Sequence, residues 1–431
     1  MDFRLLVRIF IQTYSLFLLH PLFWLVVFLV GMQYNRTIKT EKQVFGSAKF
    51  SLWQHTLIAA LSGLLGGLLA SALLVFSGIS LVEIGIYYVW PLALLFLLVN
   101  PRYLCFAYAG GVVGALSALL RLLGAYFPVL SSGLPADFAA INIPGLLALI
   151  GILHLTESFL IAISGHLYPS PLYLKTEKGV VGGFSLHKFW PLPLVGLVAA
   201  AVPEAAALSA EAARMPQWWP VFASSTAVPA GQALMYMMFP IVAGLGYGDL
   251  AVSTDPKQKS KSSALNLGLY SIVLIALAFL ALHYPPAIIP AALFAPLGHE
   301  LLIILGNKRE FAGAPLFVPP LQGVRVLDIF PGSAAAKAGL QGGDIILTVN
   351  GLETGNYYFF QNLLQNAGPF LSLRVIRGEE EHSLLIKRRA SEKAHAGIVI
   401  VPDKGVPAFM EVRQLNFFSA LSEKLRRFTS K

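Results

Sequence analysis

Cysteine is almost missing from this chain: its 431 residues hold one, Cys105, set in an apolar run, so no disulfide framework can form within it. Charge is scarce as well. Only 12% of residues are Asp, Glu, Lys or Arg against 56% hydrophobic, which excludes an ordinary soluble globular protein. No small-residue cleavage site follows the apolar run that ends at Met32, so the N-terminal segment is expected to stay attached. The glycine-rich runs 63–67 and 110–114 lack the Lys-Ser/Thr ending of a phosphate loop and suit close helix packing instead. No nucleophile–base–acid arrangement with catalytic spacing appears, and neither does a repeat or a low-complexity tract. The sequence makes no positive case for an enzyme or a cofactor.

The little charge there is falls unevenly. Residues 1–306 hold 15 Lys+Arg and 11 Asp+Glu, whereas 307–431 hold 16 and 11 in under half the length. This reads as a membrane domain, 1–306, followed by a water-soluble part. An N-terminal segment carrying Arg4 and Arg8 is an interfacial helix or the start of a span. Apolar runs near the bilayer length of about 20 residues cover 17–32, 56–78, 80–99, 104–122, 144–164, 189–207, 224–247, 264–283 and 286–306. Nine spans are expected, or eight if Pro290 and Pro296 break the last. The fold class is therefore an α-helical polytopic membrane domain of eight or nine spans, followed by a small α+β domain.

Basic residues in the short loops set the expected orientation. Arg36, Lys39, Lys42, Lys49, Arg102, Lys175, Lys178, Lys188, Lys257, Lys259, Lys261, Lys308 and Arg309 share one side, against Arg4, Arg8, Arg121 and Arg214 on the other. The soluble part is expected in the cytoplasm and the N-terminus outside, with loop 123–143 and the Trp218-Trp219 pair facing outward.

The soluble part opens on an apolar/polar alternation from Leu321 through Gln322, Gly323 and Val324 to Val326, a short strand. Ser333 then caps a helix that Gly339 stops. A strand over 345–349 turns at Asn350-Gly351, and an aromatic-rich helix over 357–366 precedes paired strands at 371–377 and 382–387. Residues 394–415 read as a strand-containing extension. In 416–431, Phe417, Phe418, Leu421, Leu425 and Phe428 share one face of a basic amphipathic helix, suited to anionic lipid, an acidic partner or packing on the soluble domain. Nucleic-acid binding is not expected from so modest a charge beside a membrane anchor.

Gln322-Gly323-Val324, Pro331-Gly332-Ser333-Ala334-Ala335, Ala338-Gly339-Leu340, Gly343-Asp344-Ile345-Ile346 and Val349-Asn350-Gly351 together resemble a PDZ domain of the bacterial, HtrA-protease kind, here over 307–390. Such domains bind an extended peptide, usually a C-terminus, as an added strand. The resemblance implies that main-chain amides of Leu321, Gln322, Gly323 and Val324 hold the peptide carboxylate. The peptide then lies beside 323–329, Val326 included, facing Tyr357, Phe360 and Leu364 on one helix face; simple core burial is the alternative for those three.

Ionisable residues inside the membrane are candidate sites. His299-Glu300 starts the zinc-protease helix pattern, but the sequence continues Leu301-Leu302-Ile303 with no second histidine, so no metal site is expected there. His154 and Glu157, at i and i+3, can touch, and Glu204 lies near the outer end of the sixth run. A transporter with a regulatory PDZ domain and a PDZ-bearing membrane protease or protease regulator are the rival readings. Across nearly its full length, including the stretches 18–23 and 293–300, the chain resembles the polytopic, PDZ-bearing membrane adaptors of the Min cell-division system in Gram-positive, rod-shaped bacteria. That resemblance implies a non-enzymatic scaffold enriched at septa and poles, linking the scaffold DivIVA to the ATPase MinD. Self-association is left open.

Overall fold

A computed structural model of the chain describes residues 2–176, 179–223, 228–388, 396–403 and 410–411. The amphipathic helix expected over 416–431 lies outside the described residues. Helices α1 (Phe3–Ser15), α2 (Pro21–Phe45), α3 (Leu52–Ser77), α4 (Ile86–Val99), α5 (Phe106–Gly124), α6 (Gly133–Ala139) and α7 (Ile143–Leu160) come first. Strands β1 (Ser170–Thr176) and β2 (Gly179–Pro203), the short α8 (Glu204–Ser209), and β3 (Gln232–Ala251) follow, before α9 (Pro256–His283) and α10 (Ile288–Ala312).

Among the described residues, five helical segments are long and apolar enough to cross a membrane: 52–77, 106–124, 143–165, 256–283 and 285–312. A sixth is available if α1 and α2, bent by 58° at Pro21, act as one broken span. The last run is not interrupted by its prolines. Pro290 sits in the first turn of α10, where no helical N–H is lost. Pro296 lies inside the helix with its ring against Gly111 of α5, where a Cβ would overlap it. The run expected at 80–99 shrinks to the 14-residue α4.

Among the described residues, the two remaining expected spans are mostly strand. Residues 189–207 and 224–247 fall largely within β2 and β3, an antiparallel hairpin in register from Phe184↔Ala251 to Pro203↔Gln232. At ~3.3 Å per residue, a 25-residue strand far exceeds a ~30 Å hydrocarbon core. Its first part accordingly pairs with β1 and reaches Phe317 before the PDZ domain, Gly182 N–H donating to the Phe317 carbonyl at 2.8 Å.

Non-helical backbone survives at membrane depth only where protein satisfies it, and the sequence provides for this along the outer edge of β2. Its outward-facing main chain alternates. Phe189 N–H donates to the Tyr34 hydroxyl at 3.2 Å, Pro191 and Pro193 have no N–H, and Val195 N–H donates to Ser71 Oγ at 2.8 Å. Leu197 accepts from Leu81 N–H at 2.9 Å, and Ala199 N–H donates to Ser80 Oγ at 3.0 Å. The carbonyls of Pro191 and Pro193 press on Gly63 and Gly67 of α3, where a Cβ would overlap them. The glycine run therefore packs a strand against α3. Residues 190–197 are all buried, with Trp190, Leu192 and Val195 fully so.

After α10, strand β4 (Val324–Ile329), α11 (Ala334–Lys337), β5 (Ile345–Val349), β6 (Leu352–Glu353), α12 (Tyr357–Asn366), β7 (Phe370–Arg377) and β8 (Glu380–Lys387) form a compact sheet-and-helix unit. Ser333 caps α11 through Ala336 N–H, and Gly339 ends it in the left-handed region. The extension adds β9 (Ile398–Ile400) and β10 (Met410–Glu411), the latter parallel to β1. The sheet order is β8-β7-β5-β4-β9, with β6 paired to β5.

Candidate functional site

The sheet order decides where a peptide can be added. β4 is internal, hydrogen-bonded to β5 on one side and to β9 on the other (Val326↔Ile400, Ile329↔Ile398). A peptide has no free edge beside 323–329; on that side of the sheet the outer strand is β9. That strand is entered through Ala396 (φ 51°) and Gly397 (φ 81°), and at Gly397 a Cβ would overlap the Ser333 side chain. Phe330 N–H donates to the Gly397 carbonyl at 2.9 Å and Val401 N–H to the Arg325 carbonyl at 2.7 Å, binding β9 to β4. Since Gly397 and Val401 face β4, antiparallel alternation turns the main chain of Ile398 and Ile400 away from it.

Across from β9 lies α12, and between them is a cavity of about 200 Å³. Tyr357, Gln361 and Gln365, at i, i+4 and i+8, line one wall and 398–400 the other. The cavity's remaining wall comes from the membrane part: Val44, Phe45 and Gly46 at the end of α2, and Tyr173 of β1. Tyr173 donates its hydroxyl to the Ile400 carbonyl at 2.9 Å, so one outward acceptor of β9 is already occupied. Lys49 holds the unit in place from α2's side, its ammonium 2.6 Å from Asp328 at the end of β4, both mostly buried. Burial pushes the Asp328 carboxyl up from its ordinary value, and Lys49 pulls it back only in part.

The residues expected to hold a peptide are thus divided. Leu321 is fully exposed and Gln322 is exposed. Gly323, Val324 and Tyr357 line a second cavity of about 40 Å³ beside Val401 and Asp403. Val326, Phe360 and Leu364 are buried core. Tyr357 alone of the eight lines both cavities. The strand residues Ile398 and Ile400, absent from the residues expected to hold a peptide, line the cavity opposite α12. Their sequence signal is the apolar run 397–401, within the expected extension 394–415.

The ionisable residues of the apolar helices also take up contacts. Glu300 pairs with Arg102 and accepts from the Tyr108 hydroxyl at 2.6 Å. His154 meets Cys105, and His299 approaches the same sulfur. Glu204 starts α8 and is exposed.

A model of the PDZ domain matches residues 325–377. The chain is 28% identical over 400 residues to the cell division topological determinant MinJ of Bacillus subtilis, covering 91% of this chain and 95% of that protein. It is 30% identical over 83 residues to the putative serine protease HhoA of Synechocystis, covering 19% of this chain and 21% of that one. It is 36% identical over 101 residues to the mouse 26S proteasome non-ATPase regulatory subunit 9, covering 22% and 45%. The similarity to proteases extends only to the PDZ level.

Proposed function

We propose that this MinJ-like, PDZ-bearing chain is a membrane-embedded topological determinant of cell division that works by holding partner proteins rather than by catalysis. The observation that carries this reading is similarity to the Bacillus determinant across both the membrane part and the PDZ unit, over 91% of the chain. The PDZ unit takes an extended segment or C-terminal tail as a strand on the outer edge of β9, opposite Tyr357, Gln361 and Gln365. The partners are a DivIVA-like polar and septal scaffold and a MinD-like ATPase, and the chain concentrates at septa and poles.

The PDZ unit faces the cytoplasm. Lys49 pairs with Asp328 of β4 and Lys259 with Glu310 near the end of α10, both beside the PDZ unit, and the positive-inside rule supports that orientation. The test is co-purification of the scaffold and the ATPase with the full chain in detergent, beside a version cut after Leu305. Both partners are expected with the full chain and neither with the truncation. Equal recovery from both versions would place recruitment in the membrane part and refute the PDZ role.

A further inference from the structure

We propose that Cys105, His154 and His299 form a binding site for one thiophilic divalent cation, Zn²⁺, inside the membrane bundle. The three come from three different helices. Cys105 is the N-cap of α5, His154 lies on α7, and His299 lies on α10, the last helix before the PDZ unit. Their ligand atoms all fall within 4.8 Å of one another, Cys105 Sγ being 3.0 Å from His154 Nε2 and 3.9 Å from His299 Nε2. Tetrahedral zinc, with bonds of about 2.0–2.3 Å, needs ligand atoms roughly 3.5 Å apart, so small side-chain adjustments suffice.

The surroundings prepare both imidazoles. His154 Nδ1 is 2.8 Å from the Ile150 carbonyl, which accepts only from a protonated nitrogen and so leaves the Nε2 lone pair aimed at Cys105. His299 Nδ1 lies 3.3 Å from the Tyr108 oxygen, and Tyr108 gives its own proton to Glu300. That chain requires His299 to donate from Nδ1 and again directs an Nε2 lone pair toward the sulfur. Outer partners of this kind fix the tautomer of metal-bound histidines. Arg102, paired with Glu300, keeps the carboxylate occupied beside the site rather than in it. One thiolate and two neutral imidazoles suit a soft-to-borderline cation and leave a fourth position open. The ion would tie α5, α7 and α10 together, and α10 is the helix that leads on to the PDZ unit.

The test uses the full chain, purified in detergent with a tag free of histidine and dialysed against Zn²⁺ and then buffer. About one zinc per chain by elemental analysis is expected, together with thiolate-to-metal charge-transfer absorption when Co²⁺ replaces it. Cys105→Ser and His299→Ala are expected to lose both signals. Tyr108→Phe, which removes only an orienting partner, is expected to weaken binding by about 10–100-fold. Should the ligand variants fail to fold, maleimide labelling of Cys105 in the unaltered chain decides: Zn²⁺ is expected to block it and a chelator to restore it. Zinc retained equally by Cys105→Ser shows an adventitious ion only. That result, or labelling at the same rate with and without Zn²⁺, would overturn the site.

Discussion

Ser71 of α3 accepts the main-chain N–H of Val195 at 2.8 Å, in the middle of a strand edge that pairs with no other strand among the described residues. With the N–H groups missing from Pro191 and Pro193 and the hydroxyls of Tyr34 and Ser80, this contact lets a β-hairpin lie against a membrane helix. Ser71→Ala would leave a buried donor unsatisfied, at about 1–3 kcal/mol. The midpoint of thermal unfolding in detergent is expected to fall accordingly, and an unchanged midpoint would mean the N–H finds another acceptor.

Gly67→Val tests the same interface from its other side. A side chain there meets the Pro193 carbonyl, and relieving the overlap requires the strand to move. The expected cost is at least the ~1–3 kcal/mol of core overpacking. Gly306→Val on α10, where a Cβ meets nothing within 4 Å, is the matched control. Equal melting of the two variants would contradict the close approach of α3 and β2.

The Lys49–Asp328 pair gives a pH prediction. Burial raises the Asp328 carboxyl above its ordinary value, so its contribution to stability is full below that ordinary value and is lost as pH rises through the raised one. Lys49 offsets part of the loss. Lys49→Met is therefore expected to destabilise the full chain at neutral pH by up to about 3–5 kcal/mol. The gap to the unaltered protein should narrow on acidification, and adding Asp328→Asn should recover most of it. A gap independent of pH would show that the pair contributes through packing alone.

The groove between β9 and α12 carries the binding claim. Tyr357→Ala removes a residue that lines both cavities, and partner recovery is expected to fall by about tenfold or more, the loss of at least 1.4 kcal/mol. Tyr173→Phe frees the Ile400 carbonyl and is expected to raise recovery. Opposite signs for the two variants distinguish a groove from a merely structural contact.

The PDZ unit could be read from sequence because its signals are local: Ser333 as a cap, Gly339 and Gly351 as left-handed turns, and alternating apolar residues in β7. The apolar helices could be read for the same reason. Hydropathy alone does not separate β2 and β3 from spans, because β2, buried over 190–197, and the half-buried but apolar β3 are as continuously apolar as a span. Pro191, Pro193 and the alternating glycines at 244, 246 and 248 were the available correction, since they suit an edge strand poorly paired on one side more than a helix interior. The histidine and cysteine cluster was not legible. Its members stand 49 and 145 residues apart in sequence, and the zinc-protease pattern looks for a second ligand only on the same helix. The role of β9 was hidden for a related reason: it joins the sheet from beyond the stretch that carries the PDZ motifs.

The central claim is that the chain marks division sites, and imaging tests it most directly. A fluorescent fusion of the full chain, followed through division in rod-shaped cells, is expected to concentrate at septa and then at the new poles. An even signal around the whole envelope, unchanged as septa form, would contradict the account.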